Sequence, residues 1–121
     1  MLFRSSIEND RHVFRADTLR TIPAAVRFIS AEPLLADLPS LDLTGIDWLI
    51  VGGESGPGYR PMRTEWARAL RDRARRAGVA FFFKQSAAPK TEMGITLDGQ
   101  VLRAYPTPRP TRPLPPSFSL L

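Results

Sequence analysis

Four apolar segments of the sequence each end in residues that can ionise or form hydrogen bonds. The polar residues at these four ends are Glu8-Asn9, Glu32, Glu54-Ser55 and Lys84-Gln85. Three carboxylates beside one lysine suit the binding of a cation, a polar cofactor or a substrate amine, and crowding of the carboxylates would raise a pKa for proton transfer. Glu32, Glu54 and Lys84 are therefore the predicted catalytic residues.

The turn over residues 52–58 is rich in glycine and contains one carboxylate. Gly52 and Gly53 allow a ligand to approach the main chain closely. The turn lacks the Gly-Lys-Ser/Thr ending of a nucleotide P-loop and the spacing of the dinucleotide fingerprint, and Glu54 would repel a phosphate. A bound amine or hydroxyl-rich group suits it better. Ser55 has no histidine near it in sequence, and the single histidine, His12, predicts neither a Ser-His-acid hydrolase nor a metal site.

These polar ends can form one site only if the apolar segments lie side by side as parallel strands. Predicted strands cover residues 3–7, 25–31, 46–51 and 79–83, and predicted helices cover 10–22 and 64–77. Asp10 and Thr64 are the expected N-caps, and Gly78 suits the end of the second helix. The alternation of strand and connection predicts right-handed parallel crossovers. The predicted fold class is therefore α/β, with parallel βαβ units forming half of a TIM-like barrel.

Chain length and proline content set the predicted domain boundaries. The chain has 121 residues, whereas a complete α/β barrel needs roughly 200 or more. Residues 1–104 are predicted to form the partial barrel, with a small hairpin over 93–102 that turns at Asp98-Gly99. Residues 105–121 contain six of the twelve prolines and are predicted to be a disordered, flexible tail.

The amino-acid composition limits which cellular compartment and which binding partners can be predicted. There are no cysteines, so this chain forms no disulfide and holds no Cys-ligated iron–sulfur cluster. No segment has the length of a membrane helix or the layout of a signal peptide, so no membrane partner and a cytoplasmic location are predicted. The net charge of +5 permits nucleic-acid binding, although the basic residues are scattered along the chain.

Several separated motifs resemble the C-terminal half of a phage- and prophage-associated protein family of unknown function, along residues 5–105. The motifs are Ser6-Ile7-Glu8-Asn9, residues 23–35, which end in Ser30-Ala31-Glu32-Pro33-Leu34-Leu35, residues 45–56, which end in Val51-Gly52-Gly53-Glu54-Ser55-Gly56, and Phe81-Phe82-Phe83-Lys84-Gln85. Members of that family resemble radical S-adenosylmethionine enzymes, with an N-terminal cysteine motif for a [4Fe–4S] cluster inside an α/β barrel. Besides the three catalytic candidates, the resemblance implies a cofactor-binding set. This set comprises Glu8, Asn9, Gly52, Gly53 and Gln85.

The chain departs from the family pattern, because the half that carries the cluster cysteines is absent. S-adenosylmethionine and the [4Fe–4S] cluster are implied only for full-length members, and no cofactor is predicted for this chain alone. We expect a truncated protein that is inactive alone. Its exposed strand edges would pair with a second copy or with a complementary N-terminal half. Two alternatives remain open: a small autonomous hydrolase or lyase that uses the Glu/Lys rim, and a basic nucleic-acid-binding phage protein.

Overall fold

A computed structural model describes residues 2–22, 25–89 and 94–108, apart from the side chains of Leu2 and Phe3. Four strands form one parallel sheet in the order β1-β2-β3-β4. They are β1 (Leu2–Ser6), β2 (Val26–Ala31), β3 (Trp48–Val51) and β4 (Ala80–Phe83). The helices are a short 3₁₀ helix (Asp10–His12), α1 (Phe14–Arg20) and α2 (Thr64–Ala77). An antiparallel pair, β5 (Thr96–Leu97) and β6 (Gln100–Val101), follows β4.

The four-stranded sheet confirms the predicted mixed α/β fold, because β1 to β4 are each parallel to their neighbours. That the sheet represents half of a barrel remains a prediction, as do the domain boundaries. Most of the predicted proline-rich tail, residues 109–121, lies outside the described residues. Among the described helices, none combines the length and apolar character needed to cross a membrane.

The first helix differs from the sequence-based prediction at its start. The predicted helix over 10–22 is divided into the 3₁₀ turn and α1. Asn9 caps the 3₁₀ turn by accepting a hydrogen bond from the amide of Arg11. Asp10 was the expected cap, but its carboxylate accepts two hydrogen bonds from Ser40, at 2.9 Å from the amide and 2.8 Å from the hydroxyl. The expected cap of α2, Thr64, is instead that helix's first residue.

The long connection between β2 and β3 supplies part of the hydrophobic core. Leu34, Leu38, Leu41 and Leu43 are each no more than 3% exposed. Arg73 of α2 donates hydrogen bonds to the carbonyls of Leu38, at 2.6 Å, and Leu41, at 3.2 Å. Residues 34–44 show no clear period, which predicts an irregular loop. The connection is irregular, but its leucines belong to the hydrophobic core that includes residues of α1 and α2, and the bonds from Arg73 attach it to α2.

The hairpin of β5 and β6 is confirmed, with a turn at Asp98-Gly99. Both residues have positive φ angles, 51° and 75°, as a two-residue type I′ turn requires. Arg68 and Arg71 of α2 donate hydrogen bonds to the Asp98 carboxylate, and these bonds hold the pKa of Asp98 well below its usual range. The turn is thereby attached to the exposed side of α2.

Residues 102–104 cover the outer edge of β4. Phe83 donates its amide hydrogen to the carbonyl of Leu102 at 2.7 Å, and Ala104 donates to Phe81 at 3.1 Å. This antiparallel contact covers one of the two sheet edges that a half-barrel was expected to expose. Within the described residues β1 is the other end strand. The predicted pairing with a second copy or a missing half would therefore use β1.

The two faces of the sheet are chemically different. On one face, side chains such as Ile29, Leu49 and Phe83 are buried in the core that includes α1 and α2. The strand register places two rows of side chains on the opposite face. The rows are Arg4, Phe28, Trp48, Ala80 and then Ser6, Ser30, Ile50, Phe82. We call this second surface the helix-free face.

Candidate functional site

The parallel pairing continues past the formal ends of β2, β3 and β4. Gly52 donates its amide hydrogen to Ala31 at 3.3 Å, and Lys84 donates to Val51 at 2.8 Å. Gly53 donates to the carbonyl of Gln85 at 2.8 Å. This continuation holds the residues that follow three neighbouring strands at one edge of the sheet, as expected for parallel strands.

Glu32 and Lys84 form an ion pair at this edge. The Lys84 Nζ lies 3.2 Å from Glu32 Oε2, and the two side chains are 41% and 23% exposed. The hydroxyl of Ser30 donates to Glu32 Oε1 at 2.9 Å. A β-carbon on Gly52 would lie 3.2 Å from Glu32 Oε2 and 3.3 Å from Lys84 Cβ. The glycine therefore leaves room for the pair to lie close to the main chain.

Gln85 is the buried polar side chain of the site. It is 2% exposed, and its Nε2 donates to the carbonyl of Gly53 at 2.8 Å. Its Oε1 is buried and has no hydrogen-bond partner within the part of the chain that the structure describes. A buried acceptor without a partner carries a desolvation cost of about 1–3 kcal/mol. A hydrogen-bond donor on a ligand would remove that cost.

Glu54 is held by Arg60, which lies beyond the glycine-rich turn. The amide and Nε of Arg60 donate to Glu54 Oε1 at 2.9 and 3.1 Å, and its Nη2 donates to Oε2 at 2.6 Å. These bonds lower the pKa of Glu54 to about 2. Proton transfer at this edge would need a carboxyl group whose pKa is raised by crowding. Glu54 does not meet that condition, because its hydrogen bonds with Arg60 lower its pKa.

We predict that replacing Arg60 by glutamine returns the pKa of Glu54 from about 2 toward its ordinary value of 4.5. Since the folded pKa is lowered, the pairing stabilises the folded state above about pH 4.5, and this contribution disappears as the pH falls toward 2. A carboxyl-carbon NMR titration measures the pKa directly. Arg76→Gln, an exposed change on α2 with the same charge, is the control. A titration of Glu54 near 4.5 in the unmodified protein would contradict the structure.

A shallow depression of about 180 Å³ lies between these groups. Its lining residues are Glu32, Pro33, Gly53, Glu54, Ser55, Lys84 and Gln85. We call this depression the rim site. It brings together the three catalytic candidates, and Gly52 lies beside the Glu32–Lys84 pair. The function of each residue stays a prediction.

Besides Gly52, which lies beside the Glu32–Lys84 pair, two predicted site residues do not line the rim site. Asn9 caps the 3₁₀ turn. Glu8 lies 3.8 Å from Arg15 of α1, and its carbonyl accepts a hydrogen bond from Leu35 at 3.2 Å. Neither residue lines the depression. The first strand end therefore takes no part in the cluster formed by the other three.

Sequence reasoning missed two members of the cluster. Ser30 lies within β2, two residues before Glu32, so both side chains point to the same side of the strand. That spacing could have revealed it. The sequence did not predict a role for Arg60, because the path of a glycine-rich loop does not follow from its composition.

The sheet, the two helices and the polar ends of the strands define a mixed α/β protein with a candidate site at the carboxyl edge of a parallel sheet. The chain belongs to DUF5131, a family of proteins of unknown function whose model matches residues 2–106. No curated protein and no solved structure matches it. The prediction of an uncharacterised family is thereby confirmed. Phage association and likeness to radical S-adenosylmethionine enzymes stay predictions.

Proposed function

We propose that this protein binds the amino-acid end of a small polar ligand in the rim site, as the ligand-binding part of a radical-S-adenosylmethionine-like enzyme. The observation that carries the proposal is the Glu32–Lys84 pair beside the buried, unpaired Oε1 of Gln85. Together these groups place negative charge and positive charge at the depression, with an unpaired acceptor buried beside it. That combination matches a ligand that carries both an ammonium and a carboxylate group.

Each end of such a ligand has a partner in the rim site. The ligand's ammonium group would donate to Glu32, and its carboxylate would pair with Lys84. Glu54 lines the depression but is already paired with Arg60, whose guanidinium is 61% exposed and does not line it. This pair therefore adds little net charge to the rim site.

S-adenosylmethionine, the ligand implied by the resemblance, has a methionine end of this kind. When it is bound beside a [4Fe–4S] cluster, the pair supplies radical chemistry. The residues of the rim site fit the methionine end, but the chain contains no cysteine and so does not fit the cluster. We therefore propose that the chain binds the ligand and does not cleave it alone.

The autonomous hydrolase or lyase remains a weaker alternative. Proton transfer near neutral pH favours a carboxyl group whose pKa is raised, and the pKa of Glu54 is lowered instead. The phage origin remains part of the proposal through the resemblance alone.

Titration calorimetry with S-adenosylmethionine tests the rim site. We expect Glu32→Gln to weaken binding by about tenfold or more, since a charge-assisted hydrogen bond is worth about 1.5–3 kcal/mol. Glu65→Gln, an exposed carboxylate on α2, is the matched control and should bind like the unmodified protein. Methionine should compete for the site, whereas adenosine should not.

Three outcomes would overturn the proposal. These are the absence of binding to the unmodified protein, equal affinity for Glu32→Gln, and competition by adenosine alone. Thermal melts of each variant establish that a loss of affinity is not a loss of folding.

A further inference from the structure

The helix-free face carries a cluster of aromatic side chains that the rim site does not use. The Trp48 ring lies 5.4 Å from the Phe28 ring, 6.1 Å from Phe82 and 5.5 Å from Tyr105, measured between ring centroids. Phe82 and Tyr105 are 5.7 Å apart. Four rings thus form one continuous surface across β2, β3 and β4. We infer that this surface binds single-stranded nucleic acid by base stacking.

Tyr105 is the part of the cluster most available to a ligand. Its side chain is 71% exposed, whereas Phe28, Trp48 and Phe82 are each half-buried. The indole Nε1 of Trp48 donates to the carbonyl of Ala104 at 2.9 Å, and this bond fixes the main chain next to Tyr105. A large aromatic residue that is held in place yet exposed offers a ring face on which a base can stack.

Basic side chains flank the aromatic surface. Arg4 is exposed and lies in the same row as Phe28 and Trp48. The Arg103 guanidinium lies 5.0 Å from the centroid of the Phe82 ring. Lys84 follows Phe82 by two residues and so points to the same side of β4. The charge of Lys84 is balanced by Glu32, its ion-pair partner. The positive charge of the face therefore comes from Arg4 and Arg103, in a chain of net charge +5.

The combination of aromatic rings and flanking basic side chains favours the binding of single strands over duplexes. Bases in a duplex are stacked on one another, so their faces cannot reach a flat protein surface. Bases in a single strand can leave their neighbours and stack on aromatic residues while the phosphates contact arginine and lysine. Sheet surfaces of this kind take roughly two or three bases. Pairing with a second copy through the edge of β1 would leave the face open, and the inference does not depend on the ligand proposed for the rim site.

Fluorescence anisotropy with a labelled twelve-nucleotide oligothymidine tests the inference. We expect Tyr105→Ala to weaken binding about tenfold, through the loss of one stacked base. Phe14→Ala is the matched aromatic control, because Phe14 is 57% exposed on α1 and should leave binding unchanged. Arg4→Gln should weaken binding and reduce its salt dependence. Arg76→Gln, the same charge change on α2, should have a smaller effect on both.

Tryptophan fluorescence supplies a second measurement. Trp66→Phe leaves Trp48 as the single tryptophan, and the oligonucleotide should quench its emission. The inference is supported if the oligonucleotide quenches Trp48 and if Tyr105→Ala loses affinity for it while Phe14→Ala does not. No binding at low salt, equal affinity for duplex DNA, or equal losses in the face variants and their controls would overturn it. The last two results would indicate charge attraction without a site.

Discussion

Replacing Gly53 by alanine is expected to destabilise the protein by about 3 kcal/mol or more, because the added methyl group would clash with main-chain atoms. An ideal β-carbon at Gly53 would lie 2.7 Å from Ala87 Cα and 2.8 Å from the carbonyl carbon of Ser86. Flexible side chains can move away from such a contact, whereas a hydrogen-bonded main chain cannot do so without breaking its pairing. Overpacking of this kind typically costs 1–3 kcal/mol and occasionally more.

The main chain opposite Gly53 is tied on both sides of the clash. Gly53 itself donates to Gln85 at 2.8 Å, and Ala88 donates to Glu54 at 3.0 Å. Moving residues 86–87 away would therefore disrupt the ladder that positions the rim site. Ligand binding should be lost together with stability.

Urea unfolding followed by circular dichroism measures the effect. Ser55→Ala is the control, because Ser55 is exposed and its replacement should change the free energy of unfolding by less than about 0.5 kcal/mol. The loss of unfolding free energy in Gly52→Ala should lie between the losses in Gly53→Ala and Ser55→Ala. Its β-carbon would meet side-chain atoms of Gln85, Glu32 and Lys84 at 3.1–3.3 Å. An unfolding midpoint for Gly53→Ala that matches the unmodified protein would contradict the close approach.

Leu38→Ala is expected to lower the free energy of unfolding by about 2–5 kcal/mol, which is the usual cost of removing a buried leucine. Leu38 is fully buried although it lies in the connection between β2 and β3. Arg73 bonds to the carbonyls of Leu38 and Leu41, which limits how far the main chain can collapse into the cavity. Because the cavity would remain largely open, the expected loss of unfolding free energy lies toward the upper part of that range.

Val101→Ala is the matched control for Leu38→Ala, because Val101 is an apolar residue that is 57% exposed. Its replacement should change stability by less than about 0.5 kcal/mol. If both variants unfold at the same urea concentration, residues 34–43 form a surface loop and do not belong to the core.

The strands and α2 could be predicted because their patterns are local. Three consecutive phenylalanines and a run of β-branched residues indicate strands, and such runs favour burial on both faces. The strands are confirmed, but burial on both faces is wrong, because alternate residues of β3 and β4 are only half-buried. The spacing of apolar residues predicts a stripe on α2 through Trp66, Ala69, Leu70, Ala74 and Ala77. Leu70 and Ala74 are buried as expected, but Ala77 is exposed, and the buried Ala67 is missing from the predicted stripe. Such errors are expected because the helix end and its exact rotation depend on the sheet beneath it.

Contacts between distant segments could not be predicted in the same way. Asp10 was expected to cap a helix and instead binds Ser40, thirty residues away. Residues 102–104 pair with β4, although nothing in their composition is typical of a strand. In both cases the partner is far away in the sequence and becomes a neighbour only in the folded chain. The spacing of residues along the sequence therefore does not predict it.

The amino-acid sequence by itself determined which residue types follow each strand, and parallel pairing is sufficient to bring three of the four strand ends to one edge. The tertiary structure decided which charged side chains lie next to one another. Glu32 pairs with Lys84, Glu54 pairs with Arg60, and Glu8 lies near Arg15, away from the rim site. The physical reason is that strand alternation is a property of the local backbone. The pKa and partner of a charge instead depend on distances of a few ångströms between segments that only folding brings together.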